Sequence, residues 1–449
     1  MDGRKKIIPA ALVFCATLTT CGFAAGMDSL AITRAAGTLP PAPKPAAKAA
    51  WETGVYRNMF AEYGLGKDLI RNRVEDSYRQ LFHGNPDSEC VLYPAGANEH
   101  GPMAYIKDIG NGDIRSEGMS YGMMIAVQMN AKKDFDALWN WARTYLYQTD
   151  EKHPDCGYFA WHAREDGMKL DDNPAPDGEE YFATALYFAT HRWGRGKGIY
   201  DYKAAADRIL TDMVHRRDIK GRINGKDTAT ITSLMNRETF MVRFTPNRGN
   251  DKKNSDFTDP SYHVPAFYEL FALWGPEADR TFWRKCAQVS RDFFIKVTHP
   301  ETGLSPDYAG FDGSPHPASW NPATANFGHD AFRTAMNWSM DAVWWAKDLG
   351  RQKILSDRLQ AFFERQGIGA YKATHTLDGK STCDYRAVGL DAMNAVAGLC
   401  ASHERAWKFV AALLNTPLPT GKWRYYDGML YMFAMLNLSG NYKIYKPAM

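Results

Sequence analysis

The stretch Arg115-Ser116-Glu117-Gly118-Met119-Ser120-Tyr121-Gly122-Met123-Met124-Ile125-Ala126-Val127-Gln128-Met129 carries one charge beyond its first residue and, Gln128 apart, is otherwise apolar, aromatic or small. At helical spacing no face of it is wet, so it predicts a helix buried on every side. One carboxylate, Glu117, then stands at its amino end. A charge carried into a buried setting is costly unless something holds it. The helix dipole favours an acid in a first turn, and that alone accounts for Glu117 locally. The arrangement says more because it recurs.

Working outward, residues 179–189, 263–274, 330–346, 388–399 and 424–438 are apolar around most of their circumference. Between them lie 66–82, 134–147, 201–214, 278–295 and 353–363, each with one wet face, and 404–414, which is mixed. About twelve helices, alternating between one wet face and none, predict an all-α fold. The simplest packing is six helical hairpins in a ring, dry helices inside and wet ones outside, an (α/α)6 barrel. No βαβ alternation is present. A small β-hairpin insertion is expected within 228–246, with strands 228–235 and 237–244. Inner helices of such a barrel run parallel, so their amino ends collect in one cleft. The residues at those ends are Glu117, Asp177, Tyr262, Asp330, Arg386, Tyr425 and Tyr426.

The 449 residues are 23% charged and 13% aromatic, a globular composition. With a net charge of +3 and no long basic run, nucleic acid is not indicated as a partner. Thirteen Trp and 23 Tyr suit both a core and a cleft that stacks planar ligands. Arg4, Lys5 and Lys6 precede an apolar run over 7–19 and small residues at Gly22, Ala24, Ala25 and Gly26, so 1–25 is expected to be an export signal. Leu18-Thr19-Thr20-Cys21 faintly resembles a lipoprotein box, which would anchor the exported chain through Cys21. Periplasmic or extracellular residence follows from either form. Residues 26–50 are Ala- and Pro-rich and are expected to be a linker, leaving 51–449 as the folded domain, expected as a monomer. Seven scattered Cys form neither a disulfide framework nor a zinc site.

Asp177 lies in Pro174-Ala175-Pro176-Asp177-Gly178-Glu179-Glu180, where a capping box also accounts for it. His329-Asp330 can equally be an N-cap. Three acids at inner-helix mouths in one cleft are harder to dismiss. Two carboxyl groups across a cleft can do acid/base work on an acetal, one protonated and one ionised. Asp177 beside Glu117 would raise the acid's pKa by like charge. Arg333, one turn after Asp330, either orients it or pairs with it at the surface. Arg115 and Tyr121 flank Glu117, and Trp161, Tyr262, Tyr425 and Tyr426 are candidate sugar platforms or plain core. Gly118-Met119-Ser120-Tyr121-Gly122 matches the nucleophile elbow of acyl hydrolases, which requires a preceding buried strand; residues 107–116 are polar and Gly-rich instead. Residues 108–113 lack calcium-loop spacing, and no zinc-protease or phosphate-loop motif is present. No metal or cofactor is expected.

The segments 115–124, 139–141, 157–161, 174–182, 259–263 and 424–427 together resemble glycoside hydrolase family 8, over nearly all of 51–449. The resemblance implies an (α/α)6 barrel and cofactor-free, inverting hydrolysis of β-1,4-linked polysaccharides. It places Glu117 as general acid, Asp330 as general base, and Asp177 as the acid holding the sugar in a distorted ring form. The chain looks most like the branch that trims xylo-oligosaccharides from the reducing end, with Tyr262 a sugar contact. In that branch a loop His closes the leaving-group side; here Asp384-Tyr385-Arg386-Ala387 puts Arg386 in its place. Endo-xylanase, endo-β-1,4-glucanase and a non-catalytic glycan-binding barrel are the alternatives.

Overall fold

Every residue of the helix Ser116–Gln128 except Glu117 is buried, as its all-round apolar pattern requires. The computed structural model describes residues 39–225, 227–249 and 252–447. Among them are fourteen α-helices: α1 (Ala50–Thr53), α2 (Met59–Tyr63), α3 (Lys67–His83), α4 (Ser116–Gln128), α5 (Lys132–Trp141), α6 (Pro176–Trp193), α7 (Tyr202–His215), α8 (Pro265–Trp274), α9 (Arg280–Val297), α10 (Phe332–Trp345), α11 (Leu349–Gln366), α12 (Val388–Ala397), α13 (Ala406–Leu414) and α14 (Arg424–Leu438). All twelve expected helices are present, with α5 ending in a π-helical turn over Ala142–Leu146. The short α1 and α2 are additional.

The dry helices neighbour one another in chain order. α4 packs on α6, α6 on α8, α8 on α10, α10 on α12, α12 on α14, and α14 on α4. Each wet helix lies against a dry one: α5 on α4, α7 on α6, α9 on α8, α11 on α10, α13 on α12 and α3 on α14. Rings fill the space between the dry helices. Tyr121 meets Tyr181 at 4.6 Å and Phe433 at 5.1 Å, and Tyr181 meets Phe267 at 4.9 Å, within the range where edge and tilted contacts are favourable.

A five-stranded antiparallel sheet was not expected. It comprises β1 (Leu92–Asn98), β2 (Gly101–Asp108), β3 (Asp113–Arg115), β4 (His162–Ala163) and β5 (Lys169–Asp171) in that order. β3 runs straight into α4, with Arg115 still extended, so the sheet aims Ser116 and Glu117. The expectation of no strand before α4 is therefore corrected. The hairpin is also corrected. Asp227–Ile231 pairs back onto Ile219–Ile223 and forward onto Asn247–Gly249. The expected second strand survives only as Met241–Val242, paired with Met235–Asn236. Asn236 Oδ1 accepts from the backbone N–H of Glu238 and Thr239 and turns the chain, and Phe240 takes a left-handed backbone.

Both ends of the domain are tied down. Pro40 and Pro43 are buried and Trp407 Nε1 donates to Pro41 O at 2.9 Å, so residues 39–50 of the expected linker lie against the fold. The expected export signal and residues 26–38 fall outside the described residues. The carboxy-terminal segment crosses the far ends of the dry helices: Gln128 brackets the Lys443 backbone, Trp344 Nε1 donates to Tyr442 O, and His191 Nδ1 donates to Tyr445 O. Among the described residues no helix is long and apolar enough to cross a membrane.

Candidate active site

Arg333 lies in the first turn of α10, its side chain only 3% exposed. A bare guanidinium at that depth would be costly, and here four carboxylates meet it. Nη1 donates to Glu117 Oε2 at 2.6 Å and to Asp177 Oδ2 at 2.8 Å, and also to Tyr121 Oη at 2.8 Å. Nη2 donates to Asp330 Oδ1 at 3.0 Å and lies 3.5 Å from Asp259 Oδ2. One side chain thus gathers acids from α4, α6 and the approaches to α8 and α10. Because Glu117 and Asp330 sit on the two arms of one planar fork, those oxygens are no more than about 8 Å apart.

Above this cluster opens a cavity of about 240 Å³, walled by Asp108, Asn111, Arg115, Glu117, His329, Asp330, Trp423, Tyr425 and Tyr426. Five of the expected site residues line it, Glu117, Asp330, Arg115, Tyr425 and Tyr426, and three more, Asp177, Tyr121 and Tyr262, lie against Arg333 beneath. Tyr425 Oη donates to Glu117 Oε1 at 2.9 Å. Tyr426 Oη donates to His329 O at 2.6 Å, fixing the residue before Asp330. Arg115 binds Asp113 and Asp108 and lies over Trp161, so Trp161 supports the wall from one contact away. Tyr262 lies under the Arg333 guanidinium at 5.9 Å. Arg386 is not on that wall: Nη2 donates to Asp391 Oδ2 at 2.8 Å, and its neighbour Tyr385 reaches His329 instead.

The electrostatics follow from one cation among four acids. Burial pushes Asp177 up to about 7; Arg333 opposes this, and the charges of Glu117 and Asp330 add to it. Burial also raises Asp259, with Asp330 as the next cause. Such surroundings keep at least one proton in the cluster near neutral pH. Tyr425 is raised by burial and then by Glu117, so its hydroxyl remains a donor to that carboxylate.

Sequence patterning misses three acids that build the site. Asp259 is fully buried, and its Oδ1 accepts from Ser261 N at 2.7 Å, capping the turn that carries Tyr262. Asp307 Oδ1 accepts from Gly328 N and Ala331 N, clamping both sides of Asp330. Asp427 caps α12 through Val388 N and Gly389 N. All three bind loop or helix-end backbone, where no hydrophobic period marks them; the Asp before Pro260-Ser261-Tyr262 was the one available signal, as an N-cap. The Gly-x-Ser-x-Gly match is explained by packing. Ser120 Oγ donates to Glu117 O within α4. A Cβ at Gly118 would lie 2.7 Å from Tyr425, and one at Gly122 2.7 Å from Ile106.

A family model described as "Glycosyl hydrolases family 8" matches residues 106–440. The chain belongs to glycosyl hydrolase family 8. It is 44% identical over 400 residues to "Reducing-end xylose-releasing exo-oligoxylanase Rex8A" of Paenibacillus barcinonensis, covering 89% of this chain and 99% of that one. It is 41% identical to the reducing end xylose-releasing exo-oligoxylanase of Halalkalibacterium halodurans, over 90% of this chain and 98% of the relative. Among solved structures, a GH8 xylobiose complex from Teredinibacter turnerae is similar at TM-score 0.86 and 50% identity, covering 89% of this chain and all of that one. As a family 8 member the chain is a glycoside hydrolase, and the acids gathered on Arg333 are the groups to which its chemistry is assigned below. Among the described residues no group of three or more His, Cys, Asp or Glu is arranged to hold a metal ion.

Proposed function

We propose that this chain is an inverting hydrolase of β-1,4-linked xylo-oligosaccharides, releasing xylose from the reducing end. The observation that carries the chemistry is Arg333 holding Glu117 and Asp330 at one cavity wall, with Asp177 buried beneath them. Glu117 acts as general acid and gives its proton to the leaving glycosidic oxygen. Asp330, whose side chain is 35% exposed, acts as general base on a water. The limit of about 8 Å between them overlaps the lower part of the roughly 6.5–9.5 Å range that inverting pairs use. Tyr425 and Arg333 each donate a hydrogen bond to Glu117, which fixes its carboxyl group at the cavity wall. Asp177, pushed up to about 7 by burial, shares Arg333 Nη1 with Glu117 and holds the sugar in a distorted ring form. The relatives named above support xylo-oligosaccharides and reducing-end release.

The six dry helices are proposed to close into the inner ring of an (α/α)6 barrel, which their neighbour relations support. Export is proposed from the basic and apolar segments of residues 1–25. A second reading, internal cleavage of xylan, is favoured by one observation: Asp391 draws Arg386 away from the cavity wall. Incubation with xylohexaose and with cellohexaose, resolving products over time, tests these readings. Single-xylose release supports exo action, and mixed oligomers support internal cleavage. Proton NMR is expected to show the α-anomer first at the new reducing end; an initial β-anomer overturns inversion. Glu117→Gln is expected to lower kcat by at least about 10³-fold while retaining glycan binding, and full activity removes Glu117 as the acid.

A further inference from the structure

The π-helical turn that ends α5 is held by Tyr147 N, which donates to Ala142 O, five residues back, at 3.0 Å. Such turns are frequent at functional sites. Here the turn carries Arg143 onto the wall of a second cavity, of about 220 Å³, walled by α5, the turn and α7. Trp139, Tyr147, Phe159, Ile199 and Ile209 give it an apolar lining, and it shares no lining residue with the cavity at Glu117. Its volume is below the roughly 300 Å³ at which pockets take drug-sized ligands, so the occupant is about one ring in size.

Arg143 stacks on the Tyr147 ring at 3.7 Å and lies 5.8 Å from the Trp139 ring. Among the described residues no carboxylate pairs with it; burial holds its guanidinium below the usual arginine range, and Tyr147 is the group that opposes this. The acid among the lining residues, Asp201, is engaged elsewhere, by Arg195 Nε at 2.8 Å and by Ala204 N at 3.2 Å. Arg208, also on the wall, gives Nε to Asp212 Oδ2 at 2.7 Å. The lining thus sets two guanidinium groups against one committed carboxylate. A half-buried cation without a counter-charge calls for an anion, and its planar fork suits a carboxylate, which it can grip with two parallel bonds. The apolar lining suits the body of a ring. We infer that this cavity is a second binding site, outside the catalytic cleft, that takes a ring-sized carboxylate held by Arg143. Uronic-acid sugars and aromatic acids both carry that chemistry. The site does not depend on which glycan the acids cleave.

Ligand-observed NMR titration of the full chain with glucuronate and with benzoate tests the site. Saturable binding of at least one is expected, glucuronate marking a sugar acid as the ligand and benzoate an aromatic acid; saturation by neither overturns the site. Arg143→Met is expected to weaken that binding at least about tenfold. Arg143→Lys is expected to recover only part of the loss, because an ammonium keeps the charge and lacks the fork. Ala205→Leu, a good helix former on the α7 wall, is expected to weaken binding as much by filling the cavity. Neither residue touches the acids on Arg333, so turnover of xylohexaose is expected to stay within about twofold of the parent in both variants. Affinity within about twofold of the parent in Arg143→Met and in Ala205→Leu places the acid elsewhere and overturns the site, as does equal competition by neutral xylose. The titration reads binding without turnover, so a chain inactive on xylohexaose would sink the glycosidase assignment and leave this result standing.

Discussion

Two buried arginines of this chain keep different company. Arg291 on α9 gives Nε and Nη2 to the two oxygens of Asp341 and Nη1 to Glu269. Lys347 takes the other Glu269 oxygen and Gln352 a further site on Asp341. Two cations there face two carboxylates. Arg333 faces four carboxylates alone, and Asp259 Oδ2 is left without a hydrogen bond. The first cluster is electrically even and holds α8, α9, α10 and α11 together. The second is rich in acid, and in the proposed mechanism that excess retains a proton for the acetal. Buried charge is therefore informative here by its imbalance more than by its depth.

Replacing each arginine breaks the comparison most directly. Arg333→Met is expected to lower kcat/KM by at least about 10³-fold, since both acid and base lose their holder. Arg291→Met is expected to leave kcat/KM within about twofold and to cost about 3–5 kcal/mol of stability, because it strands buried carboxylates; denaturant melts beside steady-state kinetics distinguish them. Similar behaviour of the two variants would erase the distinction.

Asp177→Asn sharpens it through pH. Asp177, at about 7, and Glu179, raised by burial to about 8, bind protons in the folded state that they have released in the unfolded chain above about pH 4. Stability is therefore lost as pH rises from about 4 toward 8. Asp177→Asn is expected to lower kcat by at least about 10²-fold while raising Tm by about 2–4 °C at pH 8 and little at pH 4, followed by scanning calorimetry. In the parent, kcat/KM is expected to fall as pH rises through 7.

Asp259→Asn keeps the Ser261 cap and removes one negative charge beside Asp330. We expect kcat to fall by about tenfold with KM nearly unchanged and the basic limb of the pH profile displaced; a KM effect alone would mark Asp259 as contributing uniform substrate binding instead. The smallest effect is expected from Gly118→Ala, whose new methyl displaces Tyr425 from Glu117. A loss in kcat of a few-fold should accompany it, and Tyr425→Phe should lose about as much.

The fold was legible where side chains had to hide on all sides. α4, α6 and α14 announce themselves because burial leaves no room for a polar face, and Glu117 is conspicuous as the exception. The five-stranded sheet was not legible. Pro94, Gly96, Gly101 and Pro102 interrupt β1 and β2, and β3 to β5 are too short to show a period of two. Asp330 and Asp177 could be found at helix mouths, whereas Asp259 and Asp307 act on loops and are recognisable only once the chain is folded. Arg386 was placed rightly near the mouth of α12, but its partner Asp391 lies one turn into the same helix and claims it locally.

Residues 51–56 and 442–446 meet on the face away from the acids. Tyr56 Oη accepts from Ile444 N, and the last strand of chain passes over Gln128, His191 and Trp344, which close the carboxyl ends of α4, α6 and α10. Glu117, Asp177 and Asp330 stand at the opposite ends of those helices, about 20 Å away for the 13 residues of α4. A bead, a carrier protein or a solid support coupled through Lys443 or Lys446 would therefore leave the mouth at Glu117 and Asp330 pointing outward. Long, branched polymers could approach an immobilised copy as freely as a dissolved one.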